Sequence, residues 1–362
     1  MTKSPEILFK PFSYNGLELR NRIVMAPMTR QFSPGNVPNQ MVADYYRRRA
    51  EGGVGLIVTE GTFINHKAAN GYKNVPRIYG DDALDGWKRV VDGVHEAGGK
   101  IIPQIWHVGA IREKGMEPDF DVPGHGPSAI ATGKRETPVE MSLADIHETV
   151  EAFGEAAANA KKVGFDGVEI HGAHGYLIDQ FFWERSNQRT DDYGGSFENR
   201  NRFAKEIVEA VRSAVGPDFP IVFRYSQWKM DDYETKLAEA PEKLKELLDT
   251  LVTAGVDIFH ASTRRFWIPE FEDSELNLAG WTKKLSGKPT ITVGCIGLDD
   301  PSWVIAQSTG IDKLIDRFEN DEFDLAAVGR QLIADPDWLK KVRDGSFDAI
   351  NTYSKQNLKA LN

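Results

Sequence analysis

The sequence predicts an α/β protein folded as a single (β/α)8 barrel, with extra loop segments over the carboxyl ends of its strands. Three observations lead there. Short runs rich in β-branched residues recur eight times along the 362 residues. Several of these runs are apolar throughout rather than alternating, as expected of parallel strands covered on both faces. Amphipathic helical stretches separate most of them, and no Gly/Ser- or Pro-rich linker interrupts the alternation, so residues 1–362 are expected to form one domain. A doubly wound sheet is the competing arrangement, but no Gly-x-Gly-x-x-Gly fingerprint supports a dinucleotide fold of that kind.

In chain order, strands are expected over 22–26, 55–59, 100–106, 167–171, 220–225, 257–261, 290–294 and 324–329. Helices are expected between them, including 85–97, 142–163, 196–215, 240–254 and 302–310. The second of these opens on Ser142-Leu-Ala-Asp145, which resembles a capping box. Two connections, 108–141 and 262–280, exceed ordinary barrel loops and are expected to form walls or lids.

Composition narrows the function. Hydrophobic residues make up 41% and charged residues 27% of the chain, which is ordinary for a globular protein with a sizeable core. The formal charge of -10 argues against sequence-independent binding to nucleic acid or to an anionic membrane. Cys295 is the only cysteine, so neither an intrachain disulfide nor a four-cysteine iron–sulfur or zinc site can form. No stretch has the length of a membrane span and the N-terminus lacks a basic region followed by an apolar run, so a cytoplasmic location is expected.

A barrel places its chemistry at the carboxyl ends of its strands. Those ends read Pro27-Met28-Thr29, Glu60-Gly61, Gln104 with Trp106 and His107, His171 with His174 and Tyr176, Arg224-Tyr225, His260, Gly294-Cys295 and Gly329-Arg330. Nearly all are polar or glycine. Within Glu169-Ile-His171-Gly-Ala-His174-Gly-Tyr176, two imidazoles three residues apart can converge on one oxygen, and a phenol two residues on can deliver a proton beside it. The same histidines could instead ligate a metal, with Glu169, His107 and His260 as further candidates, which would make a barrel hydrolase. A binding barrel without turnover is a third possibility.

Gly294-Cys295 and Gly329-Arg330 end the seventh and eighth strands, where backbone N–H groups suit a phosphate, or where glycine simply relieves crowding. Arg224 lies inside an apolar strand, and either a structural ion pair or an electron-rich ring would account for it. Gln104 offers a donor and an acceptor to a heterocycle, or to backbone groups.

Together these segments resemble the Old Yellow Enzyme family of FMN-dependent ene-reductases over nearly the whole chain. Asn21-Arg-Ile-Val-Met-Ala-Pro-Met-Thr-Arg30 is similar to the family's first-strand motif, His171-Gly-Ala-His-Gly-Tyr-Leu177 to its substrate motif, and Ser186-Asn-Gln-Arg-Thr-Asp-Asp-Tyr-Gly-Gly-Ser-Phe-Glu-Asn-Arg200 to the signature that follows. The resemblance implies that Ala26, Pro27, Met28, Thr29 and Gly61 contact the flavin, with Gln104 on its pyrimidine edge and Arg224 near N1 and O2. It further implies that Gly294, Cys295, Gly329 and Arg330 hold the FMN phosphate, and that Trp106 lines the pocket. His171 and His174 would bind the substrate carbonyl, Tyr176 would be the proton donor, and NAD(P)H would reduce the flavin in a ping-pong cycle. Substrates would be small α,β-unsaturated carbonyl or nitro compounds, with the protein a monomer or homodimer.

The threonine at position 29 and the His/His pair place the chain nearer one branch of that family. Arg77 stands where glycine is expected, and Cys295 is unusual in a phosphate strand. Larger relatives that carry an iron–sulfur cluster are disfavoured by the single cysteine and by a chain ending at Asn362.

Overall fold

The computed structural model describes residues 3–131, 133–298 and 309–362. Eight parallel strands close into a barrel: β1 Ile23–Met25, β2 Leu56–Phe63, β3 Lys100–Trp106, β4 Val168–His174, β5 Ile221–Lys229, β6 Ile258–Ser262, β7 Thr290–Val293 and β8 Leu325–Val328. Each strand pairs with its neighbours in sequence and β8 returns to β1, so the doubly wound alternative is excluded. The helices that follow the strands are α1 Gln40–Glu51, α2 Asp81–Glu96, α3 Leu143–Val163, α4 Leu177–Phe182, α5 Phe197–Val215, α6 Pro241–Ala254, α7 Leu278–Ser286, α8 Thr309–Glu319, α9 Arg330–Ala334 and α10 Trp338–Arg343.

Alternate strand residues face inward, and the lower barrel is filled by Val24, Leu56, Val58, Ile102, Val222, Ile258, Ile291 and Leu325. An N-terminal hairpin, Phe12–Tyr14 with Leu17–Leu19, turns at Asn15 and Gly16 (φ 43° and 79°) and packs Phe12, Leu17 and Leu19 onto the same cluster. The amino end of the barrel is thereby plugged with apolar side chains. Polar chemistry is left to the other end.

Ser142 and Asp145 form the expected capping box on α3. Four strands run further than the sequence pattern indicates, to Phe63, His174, Lys229 and Ser262. Two of the ladders shift register and resume, as Gly61↔Gln104 and His174↔Lys229, so irregularities break the apolar run without ending the strand. The sequence reading passed over α1, which Asn39 caps by accepting the Val42 N–H. The helix expected over 302–310 falls, except for its last two residues, outside the described residues; α8 begins at Thr309.

Candidate active site

Glu169, His171, Arg224 and His260 meet at the upper barrel because register sets His171 beside Arg224 and Arg224 beside His260. Gln104 Nε2 donates to Glu169 Oε1 (2.7 Å), and Glu169 Oε2 lies 2.6 Å from His260 Nδ1. All three are buried, so this carboxylate is satisfied within the barrel and is not free to serve a metal at His171. One edge of the Gln104 amide is therefore spent, leaving its oxygen.

Above this layer opens a cavity of ≈ 320 Å³. Ala26, Pro27 and Met28 from the end of β1, Arg224 from β5, Gly294 and Cys295 after β7, and Gly329 and Arg330 after β8 all line it. His174 does so as well. The buried Arg224 donates to Ser262 Oγ (3.2 Å), and among the described residues it makes no ion pair with a carboxylate and its Nε has no hydrogen-bond partner. A buried guanidinium with an unused N–H calls for an electron-rich partner. At Gly294 (φ +146°) an added Cβ would lie 2.8 Å from Thr263 Oγ1 and 2.9 Å from the N–H groups of Arg265 and Phe266, so only glycine lets the chain pass here. Cys295 (φ 53°) follows, its Sγ accepting from Arg330 Nη2 at 3.6 Å.

The cluster expected from β4 is brought together. His171 and His174 have ring centroids 5.3 Å apart at 88°, and Tyr176 sits 4.9 Å from both His171 and Trp106. His174 and Gly175 are left-handed (φ 66° and 82°), which turns the chain sharply and returns Tyr176 to the same mouth. Asp179 supports that turn, accepting the Gly175 N–H (2.6 Å) and pairing with Lys229 (2.6 Å) in a buried ion pair.

Burial, followed by the nearby Arg224 charge, holds both imidazoles well below the usual histidine range, so they are neutral at pH 7. Their tautomers follow from their partners. The Ala173 N–H points at His171 Nδ1 (3.3 Å), which puts the His171 proton on Nε2. Ser262 Oγ accepts from Arg224, and among the described residues its own hydrogen has no acceptor other than His174 Nε2 (2.8 Å), so we assign the His174 proton to Nδ1. Each ring keeps one N–H for a ligand. Burial pushes the Tyr176 phenol well above its ordinary value, so it stays protonated, and its oxygen lies 2.9 Å from that of Tyr72.

Other expected residues sit differently. Thr29 is exposed, and it does not line the cavity. Gly61 lies against Trp106, where a Cβ would come within 2.5 Å of the indole. His107 turns away to His66 (2.9 Å). Arg77 faces outward, paired with Asp82 at the start of α2 (2.7 Å) and bonded to Gly35 O, so its departure from glycine bears on α2 and not on the cavity. Ser262, Trp228, Tyr233, Arg264 and Arg265 also line the cavity and were missed. The signal for Ser262 was present, since it lies two residues beyond His260 on the inward face.

The sequence matches the family described as NADH:flavin oxidoreductase / NADH oxidase over residues 7–348. The chain belongs to that family. It is an oxidoreductase of the Old Yellow Enzyme type, with FMN as cofactor and a nicotinamide as reductant. It is 36% identical to an NADH oxidase of Thermoanaerobacter brockii, matched over 97% of this chain and 52% of that protein. The chain thus spans about half the length of that relative. It is 35% identical to 12-oxophytodienoate reductase 2 of Arabidopsis thaliana, over 96% of this chain and 91% of the relative. The structure of morphinone reductase in complex with tetrahydroNAD superposes with a TM-score of 0.83 at 31% identity, covering 97% of this chain and 93% of the other. The metal-hydrolase alternative is not favoured. No helix among the described residues is long and apolar enough to cross a membrane.

Proposed function

We propose that this flavin oxidoreductase is an ene-reductase, acting on a C=C bond activated by a carbonyl or nitro group, with NAD(P)H as reductant. The observation that carries this is the pair of neutral imidazoles beside a protonated phenol, with His174 lining the same cavity as Arg224 and Gly294. The unpaired Arg224 Nε and the cradle at Gly294 support FMN in that cavity: Arg224 would sit against the flavin ring, and Gly294, Cys295, Gly329 and Arg330 would hold the phosphate. Ala26, Pro27 and Met28, which line that cavity, would complete the ring contacts, while Thr29, Gly61 and Gln104 lie outside its lining.

FMN held there supplies hydride transfer between the nicotinamide and the alkene. The protein does the rest. His171 Nε2–H and His174 Nδ1–H donate to the carbonyl or nitro oxygen and stabilise negative charge as it builds there, each worth about 10²- to 10³-fold. Ser262 keeps His174 in the donating tautomer. Tyr176 holds the proton for the α-carbon, and Trp106 packs edge-on against it. The named reductases among the relatives favour this reading over a plain oxidase.

The test is anaerobic reduction of the yellow protein with NADPH or NADH, followed by an enone such as cyclohexenone. Stoichiometric reoxidation with formation of the saturated ketone is expected. Reoxidation by oxygen alone, with no saturated product from enones or nitroalkenes, would refute the proposal.

A further inference from the structure

Outside the flavin cavity, three side chains from separate connections converge on a gap that the proposed reaction does not use. His66 follows β2, His125 lies in the long connection after β3, and Asp145 is in the first turn of α3. One nitrogen of each histidine and one Asp145 oxygen lie within 4.8 Å of one another. His66 and His125 are only 7% and 4% exposed, yet His66 Nε2 and His125 Nδ1 have no hydrogen-bond partner among the described residues. Two orphaned ring nitrogens beside a carboxylate are costly unless something binds them.

We propose that this gap is a binding site for a divalent transition ion of the zinc type, with His66 Nε2, His125 Nδ1 and Asp145 Oδ1 as ligands and water completing the shell. Two imidazoles and one carboxylate suit such an ion, whereas calcium or magnesium would take oxygen alone. Asp145 Oδ2 is already spent on the N–H and hydroxyl of Ser142 (2.9 and 2.6 Å), which fixes the carboxylate and leaves Oδ1 open. Burial lowers His66 to about 4 and holds His125 below its usual range, so both rings are neutral at neutral pH and no second proton has to leave either one.

Two features oppose uptake, and both are modest. Lys67 Nζ lies 3.8 Å from Asp145 Oδ1, but its side chain is 50% exposed and can swing into solvent. Proton placement is the second. The Gly109 N–H donates to His107 Nδ1 (3.0 Å), so His107 directs its Nε2 proton at His66 Nδ1 (2.9 Å), and the His66 proton sits on Nε2. Ligation shifts protons along this pair: His66 loses its Nε2 proton and takes the one from His107, which is reprotonated on Nδ1 and gives up the Gly109 bond. His66 Nδ1, once protonated, also gives up the Ala68 N–H (3.3 Å), and two lost hydrogen bonds at about tenfold each are still within what zinc ligation provides.

The ion would join the segment leading to Tyr72, the connection after β3 and the start of α3, stiffening one wall of the mouth. None of its ligands lines the flavin cavity. The experiment uses flavin-loaded protein stripped with EDTA, incubated with Zn²⁺ or Co²⁺, desalted and assayed for metal and flavin. One ion per chain is expected, with a visible Co²⁺ band beyond the flavin absorbance. His125→Ala should abolish retention with flavin content unchanged. Asp145→Asn, which can still cap α3, should weaken binding at least about tenfold, and Lys67→Ala should tighten it. No retained ion in the parent protein, or retention that neither His125→Ala nor Asp145→Asn reduces, would overturn the site.

Discussion

The phenol oxygens of Tyr72 and Tyr176 lie 2.9 Å apart, with Tyr176 buried and Tyr72 partly open to solvent. Tyr72 also stacks on Trp106 at 5.5 Å and 13°, so its ring is held in register with the group it bonds. Once Tyr176 gives up its proton, the phenolate left behind is buried, and Tyr72 is the donor in contact with it. Tyr176→Phe should slow the oxidative half-reaction with cyclohexenone by about 10²- to 10⁴-fold. Tyr72→Phe should slow it less, and flavin reduction by NAD(P)H should be nearly intact in both. Stopped-flow measurement of the two half-reactions checks this, and equal loss in both halves would remove Tyr176 as the proton donor.

Ser262 decides which His174 nitrogen donates. Ser262→Ala should weaken binding of phenols and enones about two- to tenfold, the worth of one hydrogen bond, while Ser262→Thr keeps the hydroxyl and most of the affinity. Replacing both His171 and His174 with alanine should abolish the long-wavelength band that phenols give on binding the flavin. A titration that shows the band at full strength in the double variant contradicts the donor assignment.

Glu60 predicts a pH dependence of stability. Its carboxylate accepts the N–H groups of Arg30 (2.8 Å) and Gln31 (3.1 Å), fixing the segment just after Thr29. Burial nevertheless raises it from 4.5 to about 7. The folded chain thus holds this proton more tightly than the unfolded chain does, so its contribution to stability is fully present below pH 4.5 and is lost as pH rises to about 7. Glu60→Gln should flatten that segment of the stability–pH curve in thermal melts. An unchanged slope would place the proton elsewhere.

The buried Asp179–Lys229 pair tests the turn at His174. Lys229→Met leaves Asp179 uncompensated at 0% side-chain exposure and should cost about 3–5 kcal/mol. Asp179→Asn combined with Lys229→Met should recover much of that loss, because an amide can still accept the Gly175 N–H. Denaturant unfolding of the single and double variants gives the comparison.

Arg224 and His171 show how far the sequence reached. An arginine inside Ile221-Val-Phe-Arg-Tyr225 and a histidine two residues after Glu169 stand out against apolar strands, and strand periodicity puts both inside the barrel. Ser262 was within reach by the same rule but was lost because the strand was ended too early. Tyr72 could be noticed in its loop, yet nothing local says which phenol it meets.

By itself, then, the sequence determined the eight-strand alternation, the polar mouth and part of its lining, Ala26 to Met28, His174, Arg224, Gly294, Cys295, Gly329 and Arg330, because side-chain periodicity and apolar runs are properties of neighbours along the chain. The tertiary structure alone decided which nitrogen of each histidine bears the proton, that Glu169 is satisfied by Gln104 and His260, and that His66, His125 and Asp145 share one gap. Those outcomes depend on hydrogen bonds and close approaches between connections dozens of residues apart, whose geometry is set only when the barrel closes.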